Sequence, residues 1–131
     1  MSQENVEVVR RLYRAMDARD FDAIAELAHH DAEWINDRRV GEGPVRGLDN
    51  VIAFFTEQDE MFDELRAEPE RFWETGTKVL VFVHQTGRGR ASGAPFDIRI
   101  AHLWTLEDGV VVRGEGFGDR DEALEAAGLS E

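Results

Sequence analysis

The chain has 131 residues, no cysteine, and 28 acidic against 15 basic side chains, giving a formal net charge of −13. That length predicts one domain from end to end, large enough to bury a core and to enclose a ligand pocket. A surface this acidic repels phosphate backbones and anionic lipid, so neither a nucleic-acid nor a membrane partner is expected. Without cysteine, disulfide frameworks, thiolate metal sites and thiol nucleophiles are all excluded. The polar start Ser2-Gln3-Glu4 and the lack of any apolar run of bilayer length lead us to expect a cytoplasmic protein.

Val6, Val9, Tyr13 and Met16, flanked by Val8 and Leu12, recur at helical spacing between Glu4 and Ala18, with Ser2 placed to cap the start. Asp20 is placed to cap a second, short helix carrying Phe21, Ile24, Leu27 and Ala28, with His29 and His30 in its last turn. From Asp31 to Asn36 the pattern alternates as a strand does, with Ala32, Trp34 and Asn36 sharing one face. Gly41, Gly43, Pro44 and Gly47 punctuate a loop. Asp49 then caps a third helix that turns Val51, Ile52, Phe54, Phe55, Met61 and Phe62 inward.

The remainder reads as four strands, over Leu65 to Trp73, Val79 to Thr86, Phe96 to Leu106 and Val110 to Phe117. Glu74 to Thr77 is a turn, and Asp108-Gly109 is the pair that a type I′ hairpin demands. Gly87 to Arg90 reads as a solvated hairpin loop. Asp119 and Glu122 have capping-box spacing before a last short helix that ends at Gly128. This order predicts an α+β fold: a cone-shaped, curved antiparallel sheet with three helices over its concave face and a short C-terminal helix. A sheet covered on one face leaves Leu80, Phe82 and Leu103 in need of cover, which predicts a homodimer through the sheet.

Metalloprotease, phosphate-loop, dinucleotide and nucleophile-elbow signatures are missing from the sequence, so no cofactor or metal is expected. His29, His30 and Asp31 are discounted as a metal site because neighbouring helix residues point apart. His102 stands out, because it shares a strand face with Phe96, Ile98, Ile100, Trp104 and Leu106, while Asp97 and Arg99 fall on the opposite face as a surface pair. Burial on that apolar face lowers an imidazole's pKa and keeps it neutral, ready for acid/base work, although a hydrogen-bonded core histidine fits the same pattern. Gly114, Gly116 and Gly118 alternate along the last strand; they either make room in a cavity or mark a bend.

Several segments together resemble one family: Val9 to Met16, Asp20 to Ile24, Asp31 to Trp34, Arg46-Gly47, Phe54-Phe55, Ala101 to Leu106 and Asp119 to Gly128. The chain resembles the SnoaL-like branch of the nuclear transport factor 2-like superfamily, whose scaffold carries isomerases, cyclases, hydrolases and non-catalytic binding domains. The resemblance implies that the Trp34 and Asn36 face looks into the cone. It places Asn36 where ketosteroid isomerase has a carboxylate base, His102 at that enzyme's second acidic position, and Tyr13 one residue from its phenol. An amide cannot take a proton, so the isomerase mechanism is not expected unchanged, and Tyr13 also fits a packing role on the stripe of the first helix. The resulting expectation is a cofactor-independent enzyme for proton transfer or hydration on a mostly apolar small molecule. His102, Asn36 and Tyr13 are its candidate catalytic residues, and Trp34, Phe55, Ile100, Trp104, Gly114 and Gly116 line its pocket. The alternative is a non-catalytic small-molecule-binding or dimerisation module of the same fold.

Overall fold

In the computed structural model, which describes residues 2–36 and 43–129, the apolar stripe of the first helix is buried: α1 (Ser2–Ala18) packs Val9, Leu12 and Tyr13 into the core. The cap expected from the Ser2 side chain lies outside the described residues, as does Gly41 of the predicted loop. Arg19 turns the chain with a φ of 53°, and the Asp20 carboxylate accepts the Ala23 N–H at 3.1 Å to open α2 (Phe21–Leu27).

The helix stops earlier than its sequence suggests. Ala28 is already extended, and β1 runs Ala28–Ile35, so His29 and His30 belong to a strand and not to a last helical turn. A register shift between Ala28 and Glu33 leaves His29, His30 and Asp31 exposed together, with ligating atoms within 4.8 Å of one another. Helix geometry therefore does not splay these side chains, because they lie on an irregular stretch of strand.

A two-residue strand, β2 (Val45–Arg46), pairs with β1 and precedes α3 (Leu48–Glu60). Gly47, at φ 89°, is the N-cap of α3 in place of Asp49, and its N–H reaches the Ala32 carbonyl at 2.9 Å. A left-handed corner is needed to turn from β2 into the helix, and glycine takes it without strain. Asp49 sits in the first turn, where its charge suits the helix dipole. Met61 is the C-cap and is exposed, whereas Phe62 already belongs to the next strand, so neither continues the inward stripe.

β3 (Phe62–Thr75), β4 (Lys78–Gly89), β5 (Pro95–Glu107) and β6 (Val110–Phe117) form consecutive antiparallel hairpins. Asp108 and Gly109 both have positive φ, 52° and 81°, as the I′ turn between β5 and β6 requires. Gly87 to Gly89 are part of β4, so that hairpin turns later than expected. The six strands lie in the order β2-β1-β6-β5-β4-β3. β1 runs parallel to β6, which makes the curved, unclosed sheet mixed where a wholly antiparallel one was predicted. The fold class is α+β, as the order of elements implied.

Val79, Val81, Val83, Trp104 and Leu106 face inward against α1, α2 and α3. On the outer face, α4 (Arg120–Ala126) opens on Asp119, whose carboxylate accepts from the Asp121 and Glu122 N–H groups. Its Ala123 and Leu124, with Ala127, cover Leu80, Ala101 and Leu103. Leu80 and Leu103 are thus buried within the chain, and each contributes roughly 1.5–3 kcal/mol without any partner. The case for a partner subunit narrows to half-buried neighbours such as Trp73 and Phe82.

Candidate functional site

The concave face encloses a partly open cavity of about 400 Å3, within the usual range for small-molecule sites. All nine residues singled out from the sequence line it. α1 contributes Tyr13, β1 contributes Trp34 with Asn36 just beyond its end, and α3 contributes Phe55. Ile100, His102 and Trp104 come from alternate positions of β5, and Gly114 and Gly116 from β6.

His102 occupies the centre of the aromatic floor. It pairs with Val81 on one side and Gly116 on the other, and is only 8% exposed. Trp34 and Trp104 stand edge-on to its ring, with centroids at 5.4 and 5.6 Å. The Tyr13 hydroxyl lies 2.7 Å from His102 Nδ1, and Trp104 Nε1–H donates to the same hydroxyl at 3.0 Å. Burial pushes the His102 imidazole down to about 4, because no neighbouring charge compensates for desolvation of the cation. The imidazole is therefore neutral near pH 7. Burial also raises the Tyr13 phenol above its ordinary value, partly offset by the hydrogen bond from Trp104, so Tyr13 keeps its proton. Among the described residues, His102 Nε2 has no hydrogen-bond partner and is the ring nitrogen left for the cavity.

Tyr13 packs in the core, as its place on the helical stripe allows, and its hydroxyl bonds His102, a contact the sequence did not indicate. With that hydroxyl engaged by both neighbours, it stands behind the imidazole and is not free to receive a ligand oxygen itself.

The glycines of β6 serve a purpose periodicity did not reveal. A Cβ on Gly114 would lie 2.6 Å from Trp104 Cζ3 and 2.7 Å from Trp34 Cε3, and one on Gly116 would lie 2.9 Å from Trp34 Cζ2. The space they vacate is filled by two indoles and is not open volume. They line the cavity by seating its aromatic wall, which revises the expectation that their bare face enlarges it.

At the rim, Arg19 Nε donates to Asp59 Oδ2 at 3.0 Å and its NH1 to the Asp17 carbonyl at 3.0 Å, tying the α1–α2 turn to the end of α3. Arg19, Asp59, Leu65 and Gln85 line the cavity although the sequence did not single them out. The cap at Asp20 marked the turn, but nothing local identifies a partner 40 residues away. Asp97 and Arg99 lie on the outer face as expected, with Asp97 also bonded to His84 Nε2 at 2.7 Å.

The family model of the SnoaL-like domain matches residues 9–114, and the chain belongs to that family, within the nuclear transport factor 2-like superfamily. A protein from Jannaschia sp. CCS1 assigned as a SnoaL-like polyketide cyclase is 26% identical; the match covers 100% of this chain and 96% of the other, with a TM-score of 0.82. A nuclear transport factor 2-like protein from Burkholderia xenovorans LB400 is 28% identical over 97% of each chain, with a TM-score of 0.78. TerC, crystallised with polyporic acid, is 25% identical over 95% of this chain and 98% of its own, with a TM-score of 0.78. No curated protein matches the chain. The scaffold is of the small-molecule-binding or cyclase and isomerase type. No described helix is long and apolar enough to cross a membrane.

Proposed function

We propose that the chain is a cofactor-independent SnoaL-like enzyme that performs proton transfer or hydration on a neutral, mostly apolar small molecule held in the cone. One observation carries the reading: a buried, neutral imidazole supported by Tyr13 and Trp104 turns its second nitrogen to an apolar cavity large enough for a small molecule. His102 is the group through which a proton or a hydrogen bond reaches the substrate. Asn36 orients an oxygen, and Trp34, Phe55, Ile100 and Trp104 supply the apolar wall. Co-crystallisation of the similarly folded TerC with polyporic acid supports a small-molecule role for this scaffold.

The non-catalytic binding module is the second reading. It is favoured by the pairing of two carboxylates that line the cavity, Asp59 with Arg19 and Asp17 with Arg66 at 3.9 Å, because acid/base enzymes commonly keep two titratable groups of separated pKa free for the chemistry. Incubation with panels of ketones and epoxides in deuterium oxide and in heavy-oxygen water separates the two. Isotope incorporation that falls about 100- to 10,000-fold in His102→Gln supports the enzyme. Saturable binding with no incorporation supports the module. Self-association through the outer face, around Trp73 and Phe82, completes the proposal.

A further inference from the structure

The hydroxyl of Tyr13 has one proton and two acceptor lone pairs. Trp104 Nε1 can only donate, so its bond at 3.0 Å occupies a lone pair of that oxygen. The contact of 2.7 Å with His102 Nδ1 then has two possible senses. If Nδ1–H donated to Tyr13, the hydroxyl would have accepted twice, and its own proton would be buried with no acceptor among the described residues. That arrangement forfeits the hydrogen bond of a buried donor. If Tyr13 O–H donates to Nδ1, the hydroxyl and Nδ1 are both satisfied, and the remaining proton of the neutral ring sits on Nε2, where the cavity gives it access to a ligand or solvent. An orphaned buried donor costs about 1–3 kcal/mol, which decides between the two.

We propose that His102 faces the cavity as a neutral imidazole protonated at Nε2, a hydrogen-bond donor held in that form by Tyr13. Tyr13 is a positioning residue, and Trp104 fixes the rotation of its hydroxyl. This deepens the functional reading above and rests on it for the ligand. An Nε2 that carries a proton has no lone pair in the ring plane, so it cannot abstract a proton without first giving up the Tyr13 bond. It can polarise an acceptor oxygen. The cavity therefore suits a neutral, largely apolar molecule that directs a carbonyl, epoxide or ether oxygen at His102, and the imidazole keeps its proton while stabilising charge on that oxygen.

Long-range proton–nitrogen NMR of the nitrogen-labelled chain near neutral pH reads the tautomer without any ligand. The expected result is a pyridine-type Nδ1 and a pyrrole-type Nε2 for His102, with Tyr13→Phe shifting the ring towards a mixture of tautomers. A pyrrole-type Nδ1, or an imidazolium, overturns the assignment. The ligand class is tested with fluorenone and fluorene, a ketone and a hydrocarbon of nearly the same shape. The wild type is expected to prefer the ketone by roughly 3- to 10-fold, as one net hydrogen bond allows, and His102→Ala to lose that preference while still binding fluorene. Equal affinities in the wild type refute the donor role. If the Nε2 proton is found and neither molecule binds, the small-molecule reading of the cavity fails while the tautomer stands.

Discussion

Gly114→Ala places a methyl group where two indole rings already lie. Its Cβ would stand 2.6 Å from Trp104 Cζ3 and 2.7 Å from Trp34 Cε3, whereas ordinary contact begins near 3.4 Å. The rings must retreat by about 0.7–0.8 Å from their packed positions, the kind of overpacking that costs about 1–3 kcal/mol. Trp104 cannot move freely, because its Nε1–H is committed to Tyr13 at 3.0 Å, and loss of that bond adds about 1 kcal/mol. The opposing term is the reduced entropy of the unfolded chain, which favours alanine by about 0.4–1 kcal/mol at a compatible backbone position. The net expectation is a loss of roughly 1–3 kcal/mol, or several degrees of Tm in a domain of this size. Gly116→Ala meets Trp34 alone, at 2.9 Å, and should cost less; Trp34→Phe in the same chain should relieve it. Urea and thermal unfolding followed by circular dichroism and tryptophan fluorescence measure all three. A Gly114→Ala protein as stable as the wild type, or more so, refutes the interlock and returns the glycines to strand geometry.

His102 also predicts an acid-dependent stability term. Burial holds its pKa at about 4 in the folded chain, below the ordinary imidazole value of 6.5, so the unfolded chain gains a proton first as pH falls. The stability the neutral ring holds above pH 6.5 drains away between 6.5 and 4, by up to about 3 kcal/mol, and His102→Gln should flatten that part of a stability–pH curve. Equal slopes in the two proteins would place a charged or exposed imidazole at this position. Deleting the chain from Asp119 onward uncovers Leu80, Ala101 and Leu103, and the truncated protein should aggregate or self-associate; a soluble species of unchanged mass in light scattering would show that α4 covers nothing essential. Phe82→Asp should convert the proposed homodimer to monomer at micromolar concentration, and a wild type that is already monomeric removes that part of the proposal. Arg19→Ala should cost no more than about 1 kcal/mol, because the pair with Asp59 is partly exposed, and a much larger loss of Tm would mean that the rim organises the core.

Features set by local periodicity and turn chemistry were legible in the sequence. Asp108-Gly109 identified a hairpin, Asp20 and Asp119 marked helix starts, and alternation along β5 put Ile100, His102 and Trp104 on one face. What escaped was set by partners distant in the chain. Ala28 to His30 have a helical pattern nearby, but pairing with β6 draws them into a strand. The parallel direction of that pairing has no local signal. Gly114 and Gly116 read as missing side chains, and only the arrival of Trp34 from the opposite end of the chain shows what occupies their place. Tyr13 sits on a packing stripe and bonds His102 as well, a combination that helical spacing leaves undecided because the other residue is 89 positions away.

The central claim is that His102 presents a donor to an oxygen inside the cavity, and the infrared carbonyl stretch of bound fluorenone tests it most directly. In the wild type the stretch should fall below its value in a hydrocarbon solvent, and in His102→Ala it should return to that value with the ketone still bound. A stretch that matches the hydrocarbon value in the wild type, or that does not change on His102→Ala, would contradict the account.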